Sequence, residues 1–152
     1  KNAEVWHLGS INQEMKLMLD RYKNDKWILK GTIQQQKLSS FYSQGSVLIL
    51  PSTDEGLSLV TLQAMACELP LICTVNTGVG DIIKNTKEGF IIPPRNINIL
   101  KKKILYLYNN QDIAKKMGIL GRKRILKNCS WNHYGDRYYK IIKQLYKLHH
   151  QK

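Results

Sequence analysis

The sequence predicts an α/β protein in which helices cover both faces of a parallel sheet. Two patterns carry that prediction. Short apolar runs alternate with helix-like segments along the chain. These runs are continuous, as in "SVLILPS" and "PLICT", which is how strands buried on both faces read, and such strands are parallel. After residue 95 the pattern turns wholly helical, so helices exceed what strand connections need. The expected architecture is a Rossmann-like three-layer domain over residues 1–152, with additional helices at its C-terminus.

Taken in order, "EVWHLG" reads as a strand closed by Gly9. "NQEMKLMLDRY" follows as an amphipathic helix, with Met15, Met18, Leu19 and Tyr22 at helical spacing. "KWILKG" is the next strand, and "QQKLSSFYSQ" a short helix with Leu38, Phe41 and Tyr42 on one face. "SVLILPS" is a strand stopped by Pro51. A nearly all-apolar helix then runs through "LSLVTLQAMAC" to the strand "PLICT". The Gly-rich turn "NTGVGD", a short helix around Ile82 and Ile83, and the strand "GFIIPP" complete the sheet. Three helices close the chain: "INILKKKILYLYNN", "QDIAKKMGILGRKRILKN" and "WNHYGDRYYKIIKQLYKLHH".

Composition narrows the function classes. At 152 residues and 43% hydrophobic, the chain has the size of one globular domain. No apolar run approaches the roughly 20 residues of a membrane span, and "KNAEVWHLG" lacks the core of a signal peptide, so a cytoplasmic protein is expected. The first residue is Lys1, which suggests a piece of a longer protein. Cys67, Cys73 and Cys129 form neither a CxxC pair nor a zinc pattern, and Cys67 and Cys73 are expected in the core. His7, His133, His149 and His150 have no metal-ligand spacing, so no metal is expected.

The net charge of +13 comes from 24 basic and 11 acidic residues. It is concentrated in "LKKKI", "GRKRILK" and similar runs after residue 95. A solvated lysine-rich surface explains it, and attraction to an anionic membrane is the alternative. Nucleic acid is not expected, because Tyr106, Tyr108, Tyr138 and Tyr139 follow helical spacing instead of forming a stacking platform.

In parallel sheets ligands sit beyond the carboxyl ends of the strands, which selects the loops after Gly9, Gly31, Pro51 and Thr74. In the third loop, Gly56 is expected to make a tight turn and Ser58 to cap a helix beginning near Leu59. The amides of Leu57, Ser58 and Leu59 are then left free, an anion-binding arrangement suited to a diphosphate. Glu55 stands just outside that helix, where it either complements the helix dipole or accepts hydrogen bonds from ligand hydroxyls. Gln63, an amide on an otherwise apolar helix, needs a partner, either a neighbouring loop or a ligand. The turn at Gly78 and Gly80 reads equally as an ordinary turn with Asp81 capping a helix.

The segment "LILPSTDEGLSLVTLQAMACELPLICTVNTG" closely resembles the donor-site segment of the family-4, GT-B fold retaining glycosyltransferases. That pattern is a strand ending in Pro-Ser, then Glu-Gly-Phe-Gly-Leu, then Glu-Ala-Met-Ala-Cys-Gly-Xaa-Pro, a strand and a Gly-rich turn. "WHLGS", "WILKGTIQQQKLSSFYSQGSVLILPS", "KEGFIIPPRN" and "NCSWNHYGDRY" are similar to the family's flanking elements. The resemblance spans nearly the whole chain. It implies the C-terminal, donor-binding half of an enzyme that moves a sugar from a nucleotide diphosphate sugar, with no cofactor. An N-terminal acceptor domain and the first strand of this domain, with its basic pair, are implied to lie outside the chain. By position, the resemblance places Glu55 on the donor sugar and the backbone of Gly56, Leu57, Ser58 and Leu59 on the diphosphate. It places Gln63 on the ribose, and Thr32 and Ile33 at the base.

Two departures bear on the site. Gln63 stands where the family has its second glutamate, which removes the charge assistance of a carboxylate and on the order of 1 kcal/mol of nucleotide affinity. Ser58 stands where the family has a second glycine. The family implies work in cell-surface glycan synthesis, with a peripheral place at the inner face of the membrane as the expectation from charge. The rival reading is a degenerate, non-catalytic nucleotide-sugar-binding or scaffolding module.

Overall fold

The computed structural model describes residues 3–22 and 24–150; Lys1 and Lys152, the chain's two ends, lie outside them. The chain divides into two compact units between Phe41 and Tyr42.

The first unit is a parallel pair of strands with a helix between them. β1 is Val5–Leu8, α1 Gln13–Tyr22 and β2 Trp27–Gly31. The register runs Val5 to Trp27 and slips at His7/Leu8, so that Leu8 faces Gly31. Gly9 (φ 132°) and Gly31 (φ 67°) end the two strands in backbone that side chains rarely adopt, and Gly9 N–H donates to Gly31 O at 2.9 Å. Trp6 meets the edge of Phe41 at 6.4 Å and carries the Lys30 ammonium 4.1 Å from its ring centre. α1 forms where its spacing predicts, yet Met15, Met18 and Tyr22 are exposed and only Leu19 is half-buried. Helical spacing specifies which residues share a face, and here that face has little to pack on.

α2, Gln35–Tyr42, leads into the second unit, which carries β3 (Leu48–Leu50), α3 (Leu59–Ala66), β4 (Leu71–Thr74) and β5 (Gly89–Ile92). The three strands are parallel in the order β3-β4-β5, with Leu48 opposite Leu71 and Leu71 opposite Gly89. The strands thus form two parallel sheets, one in each unit. β4 is central and buried along its length, whereas β3 has one strand neighbour and is half-buried despite its apolar sequence. α4 (Ile97–Asn109), α5 (Gln111–Asn128) and α6 (Trp131–His149) follow. The core joins Ile72, Phe90 and Ile92 of the sheet to Leu107 and Met117 of the helices.

α3 ends with Glu68 at φ 63°, where Leu69 N–H returns to Ala64 O at 3.0 Å and closes the last turn. Gly118 of α5 lies against that turn: a Cβ there would fall 1.8 Å from Glu68 O. Glu88, only 4% exposed, accepts from the Arg124 Nε–H and the Lys84 backbone N–H, each at 2.8 Å, and so pins α5 to the turn before β5. Two sequence expectations need correction. No helix forms around Ile82 and Ile83, which lie just beyond two 3-10 turns, Val75–Thr77 and Val79–Asp81, separated by Gly78 in the left-handed region. Cys73 is fully buried, but Cys67, at the end of α3, is only half-buried.

Two glycine substitutions should move stability in opposite directions. Gly118→Ala is expected to cost about 1–3 kcal/mol in urea unfolding, because α3 must retreat from the new methyl group. Gly135→Ala on α6, where an added Cβ meets nothing within 4 Å, is expected to stabilise by up to about 1 kcal/mol through helix propensity. Burial pushes the Cys73 thiol up to about 12, with the Glu55 carboxylate adding to the effect. That thiol stays neutral while its unfolded counterpart ionises, so its contribution is whole below about pH 8.5 and is lost as pH rises towards 12. Iodoacetamide at pH 8 is expected to leave Cys73 unmodified in the folded chain and to label it in urea, as read by peptide mass spectrometry.

Candidate functional site

The site is built in the second unit at the carboxyl ends of β3 and β4, where each strand runs into a loop. The loop after β3 spans residues 51–58, and the loop after β4 contains the two 3-10 turns. A set of bonds ties them together. Thr74 Oγ1 donates to Ser52 O. Asn76 Nδ2 donates to Thr53 O at 2.6 Å, and the Glu55 N–H donates to Asn76 O at 2.9 Å. Gly78, at φ 61°, then passes so close to the first loop that a Cβ would sit 3.1 Å from both Leu57 N and Leu57 Cα. The chain's departure from β3 is therefore fixed by its departure from β4.

This arrangement revises the role of one glycine. Gly56 does not occupy the left-handed region, and an added Cβ there would meet nothing within 4 Å. The tight backbone belongs to Gly78, while Gly56 leaves open space beside the helix mouth. Ser58 takes the N-cap position of α3 as expected, but its side chain makes no capping bond. It is buried, and its carbonyl accepts from Thr61 Oγ1 at 2.6 Å and from Thr61 N–H at 3.1 Å. The amides of Leu57, Ser58 and Leu59 have no acceptor among the described residues. Three successive N–H groups without acceptors thus stand at the positive end of a helix dipole, a setting that favours an anion.

Glu55 is exposed, and its carboxylate has no hydrogen-bond or ion-pair partner among the described residues. Gln63 lies further along α3 and is half-buried; the Tyr42 hydroxyl, from the end of α2, donates to its Oε1 at 3.5 Å. One loop and one helix therefore hold Glu55, Gly56, Leu57, Ser58, Leu59 and Gln63 in the second unit. Thr32 and Ile33 follow the left-handed Gly31 at the end of β2 in the first unit, Thr32 exposed and Ile33 half-buried. Gly80 lies in the second 3-10 turn, and Asp81 is part of that turn instead of capping a helix.

Sequence reasoning did not single out Thr53, Thr74 or Asn76, the residues that join the loops. Their signal was available only as threonine and asparagine at the ends of two apolar strands. A hollow of about 130 Å³ at the strand ends is lined by Pro51, Thr53, Thr74, Ile92 and Asn96 among others. A second one of about 480 Å³, lined by Lys84, Lys87, Glu88, Lys116 and Arg124 among others, is a basic groove beside the Glu88–Arg124 pair and includes none of the anion-binding amides. Among the described residues no helix is long and apolar enough to cross a membrane, and no three His, Cys, Asp or Glu side chains gather as a metal site would require.

Comparisons with known proteins give the family and the fold. The family model for glycosyl transferases group 1 matches residues 8–124, and the chain belongs to that family. It is 37% identical over 103 residues to an uncharacterized glycosyltransferase of Methanocaldococcus jannaschii, covering 68% of this chain and 29% of that protein. It is 31% identical over 109 residues to the capsular polysaccharide biosynthesis glycosyltransferase CapM of Staphylococcus aureus, covering 69% of this chain and 29% of CapM. The structure of Anabaena HepE in complex with UDP superposes with a TM-score of 0.84 over 93% of this chain and 41% of that one, at 12% identity. The fold is thus the α/β fold of the GT-B glycosyltransferases, and the chain spans under a third of the length of the two curated relatives.

Removing the Asn76 side chain should loosen the tie between the loops. In Asn76→Ala, backbone exchange at the Glu55 amide, followed by NMR, is expected to speed up about 10-fold, the equivalent of one lost hydrogen bond.

Proposed function

We propose that this chain is the donor-binding half of a retaining, family-4 glycosyltransferase that moves a hexose from a nucleotide diphosphate sugar to an acceptor in cell-surface glycan synthesis. The observation that carries the reading is the set of free amides at Leu57, Ser58 and Leu59 immediately behind the unpaired carboxylate of Glu55. A nucleotide sugar has these features in the same order: a diphosphate, then a ring of hydroxyls. As the bond between the anomeric carbon and the diphosphate breaks, negative charge collects on the phosphate oxygens. N–H groups already aimed at that position stabilise the charge without reorganising. Glu55 repels the phosphate and accepts hydrogen bonds from vicinal hydroxyls, so it orients the sugar ring. The reading draws on these groups alone and needs no cofactor.

Gln63 is assigned to the ribose and Thr32 with Ile33 to the base, both by their positions in the family pattern. Residues 1–152 are read as one nucleotide-sugar-binding domain, with the acceptor-binding domain and the first strand of this domain supplied by the rest of the protein. Support for glycan synthesis comes from CapM, and support for a uridine nucleotide from HepE with UDP. The charge of +13 favours a peripheral place on the cytoplasmic face of an anionic membrane. Gln63 favours one rival, a degenerate module that retains the fold without binding donor.

Titration of the chain with UDP by calorimetry separates the two readings: saturable binding below millimolar is expected, and no heat at millimolar UDP supports the degenerate module. Gln63→Glu is expected to tighten UDP binding about fivefold by restoring a charge-assisted bond, and unchanged or weaker affinity counts against the ribose assignment. In the whole enzyme, Glu55→Ala is expected to lower kcat about 100-fold or more with little change in UDP affinity, since the lost contacts lie on the sugar.

A further inference from the structure

Tyr42 and Gln63 form a pair that the donor reading leaves unexplained. Tyr42 closes α2 and is 5% exposed, so its ring is part of the core while its hydroxyl reaches α3. A buried hydroxyl left without an acceptor costs about 1–3 kcal/mol. Among the described residues the Gln63 Oε1, at 3.5 Å, is the acceptor that this phenol finds. Burial, with the nearby Cys67 adding to it, raises the phenol's pKa, so it remains a donor across the physiological range. The consequence falls on the other end of the amide. With Oε1 turned to Tyr42, Nε2 is turned away from it, and its two N–H groups have no acceptor among the described residues. A half-buried amide with its carbonyl engaged leaves its donors to solvent or to a ligand acceptor that displaces it.

We propose that Tyr42 is a positioning residue for nucleotide recognition: its buried hydroxyl holds the Gln63 carbonyl, so that the amide presents its N–H groups to ribose hydroxyls acting as acceptors. The proposal rests on the donor-binding reading and adds a residue and a direction to it. A glutamate in place of Gln63 would present a charged acceptor to hydroxyls that donate. Gln63 presents donors instead, and the fixed carbonyl removes the rotation that would otherwise let the amide offer either end. The long 3.5 Å contact places the bond on the weak side, so the effect sought is a several-fold change and not an abolition.

The test compares UDP with 2′,3′-dideoxy-UDP, which lacks both ribose hydroxyls, by calorimetry on the chain and its variants. The unmodified chain is expected to prefer UDP by about 5–10-fold, as one or two hydrogen bonds allow. In Tyr42→Phe, which keeps the ring and its packing, the preference is expected to fall to about twofold, through weaker UDP binding with dideoxy-UDP affinity unchanged. In a Gln63→Ala background, Tyr42→Phe is expected to leave the preference as it is, because the residue it positions is gone. Three outcomes overturn the proposal while leaving donor binding intact: no preference for UDP in the unmodified chain, an undiminished preference in Tyr42→Phe, or an equal loss for both nucleotides, the signature of a purely structural role. Absence of any nucleotide binding to the unmodified chain sinks the donor reading itself, and this proposal with it. Thermal unfolding of each variant identifies any fall in affinity that comes from loss of the folded state.

Discussion

The tie between two strand ends is the constraint on which the candidate site depends. β3 and β4 are parallel neighbours, so the loops that leave their carboxyl ends emerge side by side. Thr74, at the end of β4, and Asn76, just beyond it, bond to the carbonyls of Ser52 and Thr53 on the other loop, and the Glu55 amide donates to the Asn76 carbonyl. Gly78 completes the arrangement by occupying a space where a Cβ would crowd the Leu57 backbone at 3.1 Å. An anion site made of backbone N–H groups is only as well organised as the loop that presents it, and here a second loop holds the first.

Two chemically different ends follow from that one loop and its helix. At the mouth of α3 the free amides favour negative charge, and Glu55, just before them, disfavours it. The pair therefore imposes a direction on any ligand that carries an anion next to hydroxyls. Further along the helix the surroundings turn apolar, with Ala64 and Met65 fully buried, and a polar group survives there only with partners. Gln63 meets that requirement in part through Tyr42, and a neutral amide tolerates the setting at lower desolvation cost than a carboxylate.

Much of this was legible in the sequence, for identifiable reasons. Continuous apolar runs gave β1 to β5, and helical spacing gave α1 to α6, because both are local patterns imposed by backbone geometry. The helix start at Leu59 was legible from Ser58 and from the glycine before it. Burial was less so: Met15, Met18 and Tyr22 have the spacing of a packed face yet lie exposed. Whether a face packs depends on what stands opposite, which spacing does not encode. The roles of Gly56 and Gly78 were harder still, since each glycine is read alone in a sequence while the crowding at Gly78 involves a loop far from it in the chain. The Tyr42–Gln63 contact and the Asn76–Thr53 tie share that property: both are long-range pairs of residue types common in any loop or helix.

The anion site proposed at the start of α3 is tested by following the backbone N–H resonances of the chain during titration with UDP. A diphosphate seated on these amides gives saturable shifts that are largest at Leu57, Ser58 and Leu59, with smaller ones at Glu55 and Gln63. Saturable shifts centred elsewhere, for example on Lys84, Lys116 and Arg124 of the basic groove, would contradict it.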